Sequence, residues 1–325
     1  MIKLKEIDKK ILKELLIHGR KDFSKIAKNL NVTSKMVWNR YSILKKAGVI
    51  IGATTHVNYR KCYGLYTVFT IKMPPDRRDK AIEKINKMSR VYIILKGIQK
   101  NILSVGITIE NLNEIDSVKN KLSAITWADE IESEIWLDVI NIPENLKALK
   151  IETKNYQTNK KTYENTQTSK LKDPKIDNID FEIIDLLSIN GRTPFSQIAK
   201  KVGKSSDTIT KRYHKMVKSK ILKVVIQINP LKLGYKGWIT FNLTFSAKVS
   251  LQEKITEIIN IPNIIHLVKT KGLFDLVVYV FVKDINQIFE MQKKFSNFDG
   301  LIKSENRINE IIQIWPTPKQ CKTSF

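Results

Sequence analysis

Cysteine and histidine are scarce in this sequence. Its 325 residues include two cysteines, Cys62 and Cys321, which lie too far apart along the chain to suggest a disulfide framework. The four histidines are scattered, no pair of them has the spacing of a zinc site, and no Cys-x-x-Cys occurs. The sequence therefore predicts neither a disulfide-stabilised fold nor a metal site.

Long apolar stretches and the usual catalytic motifs are also missing. No apolar run approaches the roughly 18 residues that a membrane helix requires. Residues 1–16 alternate charged and apolar side chains instead of forming the core of a signal peptide. The sequence has no glycine-rich phosphate loop, no nucleophile elbow and no paired carboxylates tied to a pocket. We therefore expect a cytoplasmic protein with no membrane partner and no cofactor, and not an enzyme.

Acidic residues are too few to balance the basic ones. The chain has 57 Lys and Arg against 32 Asp and Glu, and its net charge of +25 is typical of a protein that binds a polyanion. Residues 1–60 hold 14 basic and 4 acidic residues and residues 176–232 hold 11 and 5, whereas residues 61–146 hold 12 of each. This segregation predicts DNA contact through two short segments.

The chain contains an internal repeat. Residues 7–51 match residues 179–223 without gaps, at a shift of 172 positions. The matches include Ile-Asp at 7–8 and 179–180, Gly-Arg at 19–20 and 191–192, Ile-Ala-Lys at 26–28 and 198–200, and Arg-Tyr at 40–41 and 212–213. So many ungapped matches indicate that the chain arose by duplication.

Each copy of the repeat has the pattern of three short helices followed by extended chain. In the first copy, helical spacing of apolar residues predicts a helix over 7–15 and another over 23–30. Thr33 or Ser34 is expected to cap a third helix. The buried side of that helix is expected to consist of Val37, Tyr41 and Leu44. Residues 49–58 predict a short β-hairpin, which would complete a winged helix-turn-helix.

Each repeat is followed by a module of strands and helices. After the first copy, the pattern predicts a strand at 66–73, a helix at 79–88, two strands within 91–109, a helix at 113–125 and a strand at 129–140. The second copy predicts the same order at 238–246, 250–260, 263–282, 284–295 and 303–315. This βαββαβ order is that of a ferredoxin-like module.

The fold class expected is therefore α+β, with two winged helix-turn-helix modules that are each followed by a ferredoxin-like module. The predicted boundaries are 1–60 and 61–146 for the first pair, 176–232 and 233–316 for the second pair, 147–175 for a linker and 317–325 for a tail. The linker is polar and aperiodic, so we expect it to be flexible at least in part.

Both copies of the repeat resemble the DNA-binding module of the Lrp/AsnC family. That family's pattern opens with Ile/Leu-Asp and continues with a helix that ends in Gly-Arg, an Ile-Ala helix, and a Ser followed by Val and Arg at spacings of three and six. The βαββαβ modules resemble the family's C-terminal domain, which oligomerises and can bind small molecules. The resemblance covers nearly the whole chain twice, whereas the usual family member has one copy.

The resemblance implies a transcriptional regulator that binds double-stranded DNA sequence-specifically. It also implies that the ferredoxin-like modules pair sheet to sheet, either within one chain as a pseudo-dimer or between chains as a homo-oligomer. The family's turn between the middle strands carries Gly, an aromatic residue and Asp, which fits Gly272, Phe274 and Asp275 as a site for an amino-acid-like effector. Residues 97–101 lack the aromatic residue and the acid. Asp275 is expected either to bind the ligand's amino group or to cap the hairpin.

The third helix of each copy carries the residues that we expect to contact DNA, because a helix fits the major groove and Ser, Lys and Asn side chains bond phosphates or base edges. The outward residues of the first copy are Ser34, Lys35, Trp38, Asn39, Ser42, Lys45 and Lys46. Those of the second copy are Ser206, Asp207, Thr210, Lys211, His214, Lys215 and Lys218. Because the two sets differ, the modules are predicted to read different half-sites.

Two residue types in these helices have alternative roles. Arg40 and Arg212 occupy the same slot in the two copies, and each is expected either to reach a phosphate or to pair with Asp8 or Asp180. Trp38 is expected to pack on sugar or thymine-methyl surface, or to cover the wing.

Two other functions are compatible with the same sequence. A sirohaem decarboxylase resembles the Lrp/AsnC family in fold and needs basic and histidine residues around a tetrapyrrole pocket, but the charge here concentrates on the helical modules. A non-specific nucleoid protein would coat DNA. Haem-like absorbance on adding tetrapyrrole would favour the first alternative, and a footprint confined to defined sites would argue against the second.

Overall fold

The computed structural model describes residues 3–97, 101–150, 175–309 and 315–316, and only the backbone at positions 59 and 60. The first half of the chain contains α1 (Glu6–Ile17), α2 (Phe23–Leu30), α3 (Ser34–Lys46), β1 (Ile50–Val57), α4 (Tyr59–Tyr63), β2 (Leu65–Lys72), α5 (Arg78–Ile85), β3 (Val91–Lys96), β4 (Ile102–Ile109), α6 (Glu114–Thr126) and β5 (Glu130–Asn141). The second half contains α7 (Asn178–Ile189), α8 (Phe195–Val202), α9 (Ser206–Lys218), β6 (Leu222–Ile228), β7 (Gly237–Phe245), α10 (Leu251–Ile259), β8 (Ile264–Lys271), β9 (Leu276–Val282), α11 (Ile285–Ser296) and β10 (Leu301–Asn309).

These elements form two compact units, and each unit draws on both copies. The helical unit contains residues 3–58, 143–150, 175–235 and 315–316. The sheet unit contains residues 59–97, 101–142 and 236–309. The α+β class and the βαββαβ order of both ferredoxin-like modules are confirmed, with strand and helix ends shifted by a few residues. In the described part of the chain, no helix is long and apolar enough to cross a bilayer.

The helix-turn-helix of each copy is fixed by its core and by the cap of its third helix. In the first copy, Ile11, Leu15 and Leu44 are fully buried, as their spacing predicts. The Thr33 hydroxyl accepts the backbone N–H of Met36 at 3.2 Å and so caps α3. In the second copy Ser205 caps α9 in the same way. Tyr41, expected to be buried, is only half-buried, because it packs at the edge of the core against the Phe23 ring.

The β-hairpin predicted over residues 49–58 is wrong. That segment forms the single strand β1, which pairs antiparallel with β6 of the second copy, so that Ala53 lies opposite Ile226. A tight hairpin needs a turn of the Asn-Gly type, and Gly52-Ala53 offers none. An unpaired strand leaves its N–H and C=O groups without partners, and the matching segment of the other copy supplies them.

Two segments that follow the sheet modules also pack in the helical unit. Leu146 and Leu149 are buried, and the backbone N–H of Ala148 donates to the Tyr235 hydroxyl at 3.2 Å. Trp315 forms a β-bridge with Ile228 at the end of β6. Residues 147–150 of the expected linker are therefore ordered against the fold, whereas 151–174 and the expected tail lie outside the described residues.

The sheet unit is one eight-stranded sheet in the order β10-β7-β9-β8-β5-β2-β4-β3. Each copy contributes four adjacent strands in ferredoxin-like order, and β5 pairs with β8 where the copies join. The outer strands meet at an isolated bridge between Gly97 and Asn309. One face of the first copy's strands packs on α5 and α6 through Phe69, Ile71 and Leu122.

Candidate nucleic-acid interface

Helix α3 turns a basic face to solvent. Val37 and Leu44 on its opposite side are fully buried, which fixes the direction in which the other side chains point. Of the residues predicted to bind DNA, the exposed ones are Ser34, Lys35, Trp38, Asn39, Lys45 and Lys46. Ser42 and Arg40 are half-buried. The structure therefore brings six of the predicted residues onto one solvent-facing surface.

Helix α9 presents a different surface. Its exposed predicted residues are Ser206, Asp207, Lys211, His214, Lys215 and Lys218. Thr210 is half-buried, and its hydroxyl donates to the Ser206 carbonyl at 2.8 Å. The Asp207 carboxylate lies 2.8 Å from the Lys211 ammonium, which raises the pKa of Lys211 through that hydrogen bond. This exposed pair lowers the positive charge that α9 offers to a polyanion, compared with α3.

Arg40 takes the internal one of its two expected roles. Its guanidinium donates two hydrogen bonds to the Asp8 carboxylate, Nε to Oδ1 at 2.7 Å and Nη2 to Oδ2 at 2.6 Å. Asp8 is 1% exposed, and its Oδ2 also accepts the backbone N–H of Lys5 at the start of α1. The hydrogen bonds to Asp8 raise the pKa of Arg40. Arg40 therefore fixes α3 on α1, and it is not a solvated group on the exposed face of α3.

Arg212 holds α9 in place in the second copy in the same way, but it pairs with two carboxylates instead of one. Its Nη1 lies 2.8 Å from both oxygens of Asp177 and 3.0 Å from Oδ1 of Asp180. These hydrogen bonds raise the pKa of Arg212. Positioning of the third helix by an Arg–Asp pair is thus common to both copies.

The recurring Gly-Arg dipeptide joins the two modules, a role that the sequence reasoning missed because it treated Gly19 only as a helix end. Arg20 Nη1 donates to the carbonyls of Gly191 and Thr193, both at 2.8 Å. Arg192 Nη1 donates to the carbonyl of Gly19 at 2.6 Å. The exact recurrence of Gly-Arg in both copies was the available signal, because a contact across a pseudo-twofold axis needs the same residues on each side.

Aromatic rings pack on both arginines of this junction, which we call the Gly-Arg clamp and define by Gly19, Arg20, Gly191 and Arg192. The Arg20 guanidinium lies 4.2 Å from the centre of the Phe195 ring, and that of Arg192 lies 4.8 Å from the centre of the Phe23 ring. Such cation–π contacts are worth about 0.5–2 kcal/mol each. Burial lowers the pKa of Arg20, but arginine is so strong a base that it stays charged at neutral pH.

Backbone bonds hold the same junction. The N–H of Gly19 donates to Val224 at 2.7 Å, and the N–H of Gly191 donates to Ala53 at 2.8 Å. The Thr54 hydroxyl donates to the carbonyl of Ser188 at 2.8 Å. With the β1–β6 pair, these contacts join the two helix-turn-helix modules within one chain.

The turn expected to bind an effector has its acid engaged within the fold. Asp275 Oδ2 accepts the backbone N–H of Phe245 at 2.8 Å, and its backbone N–H donates to Leu243 at 2.9 Å. Phe274 is buried, and its carbonyl accepts the Thr270 hydroxyl at 2.7 Å. Of the two roles expected for Asp275, the structure therefore shows the capping one.

Buried polar groups of both copies lie on the sheet face that carries no helices. Arg307 of β10 reaches Thr70 of β2 at 3.0 Å and Glu132 of β5 at 3.4 Å, so these faces of the two copies meet. Beside them, Glu134 Oε1 and Trp238 Nε1 are buried and have no hydrogen-bond partner among the described residues. Burial raises the pKa of Glu134 to about 7, although the positive charge of the nearby Arg307 acts to lower that pKa.

An aromatic cluster surrounds this inward-facing site, which we define by Glu134, Trp238, Tyr279 and Arg307. The Tyr279 ring lies 5.5 Å from Trp238 and 5.0 Å from His266 between ring centres. Burial lowers the pKa of His266 to about 4, so its imidazole is neutral at pH 7, and its Nδ1 lies 2.6 Å from Asn141 Oδ1. Burial also raises the pKa of Tyr279, and the nearby Glu134 adds to that increase.

Two family models of helix-turn-helix domains match the helical modules. Residues 4–51 match a family model described as winged helix-turn-helix DNA-binding. Residues 176–217 match that of the AsnC-type helix-turn-helix domain. The two matched ranges contain α3 and nearly all of α9, the helices whose exposed faces are described above.

Proteins described as HTH-type transcriptional regulators match less than half of this chain. Over 143 residues the chain is 26% identical to the uncharacterized HTH-type transcriptional regulator PH0140 of Pyrococcus horikoshii, covering 43% of this chain and 90% of that protein. Over 129 residues it is 27% identical to the HTH-type transcriptional regulator FL11 of Pyrococcus furiosus, covering 38% of this chain and 85% of that protein. These coverages agree with a duplication of a single-copy regulator.

The whole chain is similar in fold to a solved structure of another class. The sirohaem decarboxylase NirDL superimposes with a TM-score of 0.62, at 12% identity, over 94% of this chain and 91% of that one. At this identity the similarity defines the arrangement of the backbone and nothing about the chemistry.

Two helix-turn-helix modules with exposed basic third helices, together with these relatives, define a DNA-binding transcriptional regulator. The chain is similar to regulators of the Lrp/AsnC type and carries two helix-turn-helix modules in one polypeptide.

Proposed function

We propose that the chain binds duplex DNA sequence-specifically, with both helix-turn-helix modules engaged at once as an intramolecular pseudo-dimer. The observation that carries this proposal is the junction of the modules through β1, β6 and the Gly-Arg clamp. A fixed junction sets the separation of α3 and α9, which is what a paired half-site requires.

The attraction to DNA is assigned to the exposed lysines of α3 and α9, because phosphate contacts supply most of the affinity and make it depend on salt. The test is a titration of duplex binding with salt. Lys35→Ala with Lys45→Ala should weaken binding to all duplexes and reduce the slope of log affinity against log salt by about 2. The matched control is Lys293→Ala with Lys294→Ala, two exposed lysines of α11 in the sheet unit. Equal losses in both double variants would remove α3 from the interface.

Sequence specificity distinguishes this proposal from a non-specific nucleoid protein. We expect footprints on defined sites, with competitor DNA of random sequence weakening binding only at large excess. Uniform protection along any duplex would contradict a specific regulator and support a coating role.

We propose that an amino-acid-like effector binds at the inward-facing site and not at the Asp275 turn. Asp275 already caps Phe245, whereas Glu134 Oε1 and Trp238 Nε1 are buried without a described partner. Glu134 and Arg307 offer opposite charges to a zwitterion, and the rings offer apolar surface. Thermal unfolding with each of the twenty L-amino acids in turn tests this. One of them should raise the melting temperature of the wild type but not that of Glu134→Gln. A shift that survives Glu134→Gln and is lost in Asp275→Asn would place the effector at the turn.

A tetrapyrrole decarboxylase is the second candidate, favoured by the backbone similarity to NirDL. Against it, Glu132, Glu134 and Glu305 share the inward face with Arg307, and a ligand bearing many carboxylates would be repelled there. Titration with iron uroporphyrin should leave the absorbance of the mixture equal to the sum of its parts. A shifted absorbance band with a defined stoichiometry would support the enzyme instead.

A further inference from the structure

The recognition helix of the first module exposes three large apolar side chains at positions where the second module has polar residues. Trp38 is 58% exposed, Met36 is 45% exposed and Ile43 is 43% exposed. At the shift of 172 positions between the copies, the matching residues are Thr210, Thr208 and Lys215. Because α9 forms the same helix with those polar residues, the fold does not require apolar residues at these positions of α3.

These apolar residues lie on both sides of a polar ridge. At about 100° per residue, Lys35, Asn39 and Lys46 follow the middle of the exposed face, with Met36 and Ile43 on one flank and Trp38 on the other. A helix about 10–12 Å wide fills a major groove about 12 Å wide. The ridge then meets base edges, and each flank meets the bases nearer to one strand.

The surroundings of the apolar residues select the kind of partner. Lys35, Lys45 and Lys46 are exposed on the same helix, so the partner must be anionic and must also offer apolar groups. A second copy of this basic chain would meet like charge. The major groove of DNA satisfies both requirements, since its phosphates are anionic and the thymine methyl is the apolar group displayed there.

We infer that Trp38, Met36 and Ile43 read thymine methyl groups, so that the first module prefers a thymine-rich half-site and the second module does not. This inference rests on the proposed binding of duplex DNA. It makes the operator asymmetric in a defined chemical sense, because removing thymine methyls should matter in one half-site and not in the other.

The test uses a duplex selected by the wild-type chain from a randomised library, resynthesised with deoxyuridine for thymidine in one half-site at a time. Uracil keeps the base pair and loses only the methyl. In the half-site bound by α3, affinity should fall about fourfold for each buried methyl that is lost. In the half-site bound by α9 it should change less than twofold. Equal sensitivity of the two half-sites, or none, would overturn the inference.

Variants assign the effect to the flanks of α3. Trp38→Thr with Met36→Thr and Ile43→Lys gives α3 the residues of α9, and these exposed positions should tolerate the change. The triple variant should bind thymine and uracil duplexes equally. Ile189→Thr is the matched control, since Ile189 of α7 is 81% exposed in the same unit but off the recognition helix. Uracil sensitivity that persists in the triple variant would remove these side chains from the readout.

Two further outcomes are distinguishable. If the wild type enriches no duplex, the proposed DNA binding itself fails. If the wild type enriches duplexes but is indifferent to uracil, and sedimentation shows self-association that Trp38→Thr abolishes, the apolar flanks bind a second copy and the inference is wrong.

Discussion

Arg192 donates a 2.6 Å hydrogen bond to the carbonyl of Gly19, and Arg20 returns a 2.8 Å bond to the carbonyl of Gly191. A dipeptide that looks like a helix end in each copy is thus the place where the copies recognise each other.

Gly19→Ala should loosen the junction between the helix-turn-helix modules. A Cβ at position 19 would lie 2.6–2.8 Å from backbone atoms of Val225, which have no room to move without shifting β6. We expect a loss of about 1–3 kcal/mol of stability, typical of overpacking. Hydrogen exchange of the β1 and β6 amides is the measurement, and protection should fall there first.

Two other glycines calibrate that result. Gly191→Ala should cost less than Gly19→Ala, because its nearest contact is the Val224 side chain and not backbone. Gly237→Ala should be near neutral, since its Cβ would make an ordinary 3.4 Å contact with Val282. If Gly237→Ala loosened β1 and β6 as much as Gly19→Ala, close packing at the junction would not explain the effect.

Arg192→Lys should weaken the junction although it keeps the charge. Lysine lacks the planar fork that reaches the Gly19 carbonyl and stacks over the Phe23 ring. The expected cost is about 1–2 kcal/mol, read from the urea dependence of the helical unit's unfolding. Arg90→Lys, at an exposed surface pair, serves as the control and should change stability by less than about 0.5 kcal/mol. If Arg192→Lys lowered the free energy of unfolding no more than this control does, the Gly-Arg clamp would not contribute measurably to stability.

Asp8→Asn should be more damaging than Asp180→Asn. Asp8 is the acid that Arg40 pairs with through both hydrogen bonds, whereas Arg212 keeps Asp177 at 2.8 Å when Asp180 is neutralised. Leaving a half-buried arginine unpaired costs about 3 kcal/mol at most in the first copy. Urea midpoints of the two variants give the comparison. Similar midpoints would mean that the pairing of Asp177 with Arg212 does not compensate for the lost charge of Asp180.

Glu134→Gln should remove one of two opposing contributions to the pH dependence of stability. The folded pKa of about 7 lies above the usual 4.5, so the unfolded state ionises first as pH rises. Stability contributed by the protonated carboxyl is therefore present below about pH 4.5 and is lost as pH rises through 7. His266 acts in the opposite sense: its folded pKa of about 4 lies below 6.5, so it costs stability as pH falls from 6.5 to 4.

Because the two groups oppose each other, the informative quantity is the difference in unfolding free energy between wild type and Glu134→Gln at each pH. Relative to the variant, the wild type should become less stable from pH 4.5 to 7 and then level off. A difference that stays constant across this window would show that Glu134 ionises normally in the folded protein.

The sequence predicted the elements well where the information is local. Helical spacing around Ile11, Leu15 and Leu44 marks the buried sides of α1 and α3, and the Thr33 cap follows from residue type and position. The exposed residues of α3 follow by subtraction of those core positions. The order βαββαβ likewise depends on patterns within a few residues of each element.

The prediction failed or stayed open where a partner lies far along the chain. β1 has no turn chemistry of its own, and its partner β6 begins more than 160 residues later, so no local pattern identifies it. Arg40 had two chemically equal choices, phosphate or Asp8, and only the packing of α1 against α3 decides between them. The inward-facing site combines Glu134 of the first copy with Trp238 and Arg307 of the second, which no single stretch of sequence brings together.

The pairing of β1 with β6 also changes what natural selection can do with this molecule. In a homodimer, every substitution in the recognition helix appears twice, so the protein and its operator must stay symmetric together. Here the two halves are tied covalently and cannot part on dilution, and each recognition helix is encoded separately. One half is free to change its preferred bases while the other keeps the protein on its existing site. A regulator built in this way can move to a new promoter one half-site at a time.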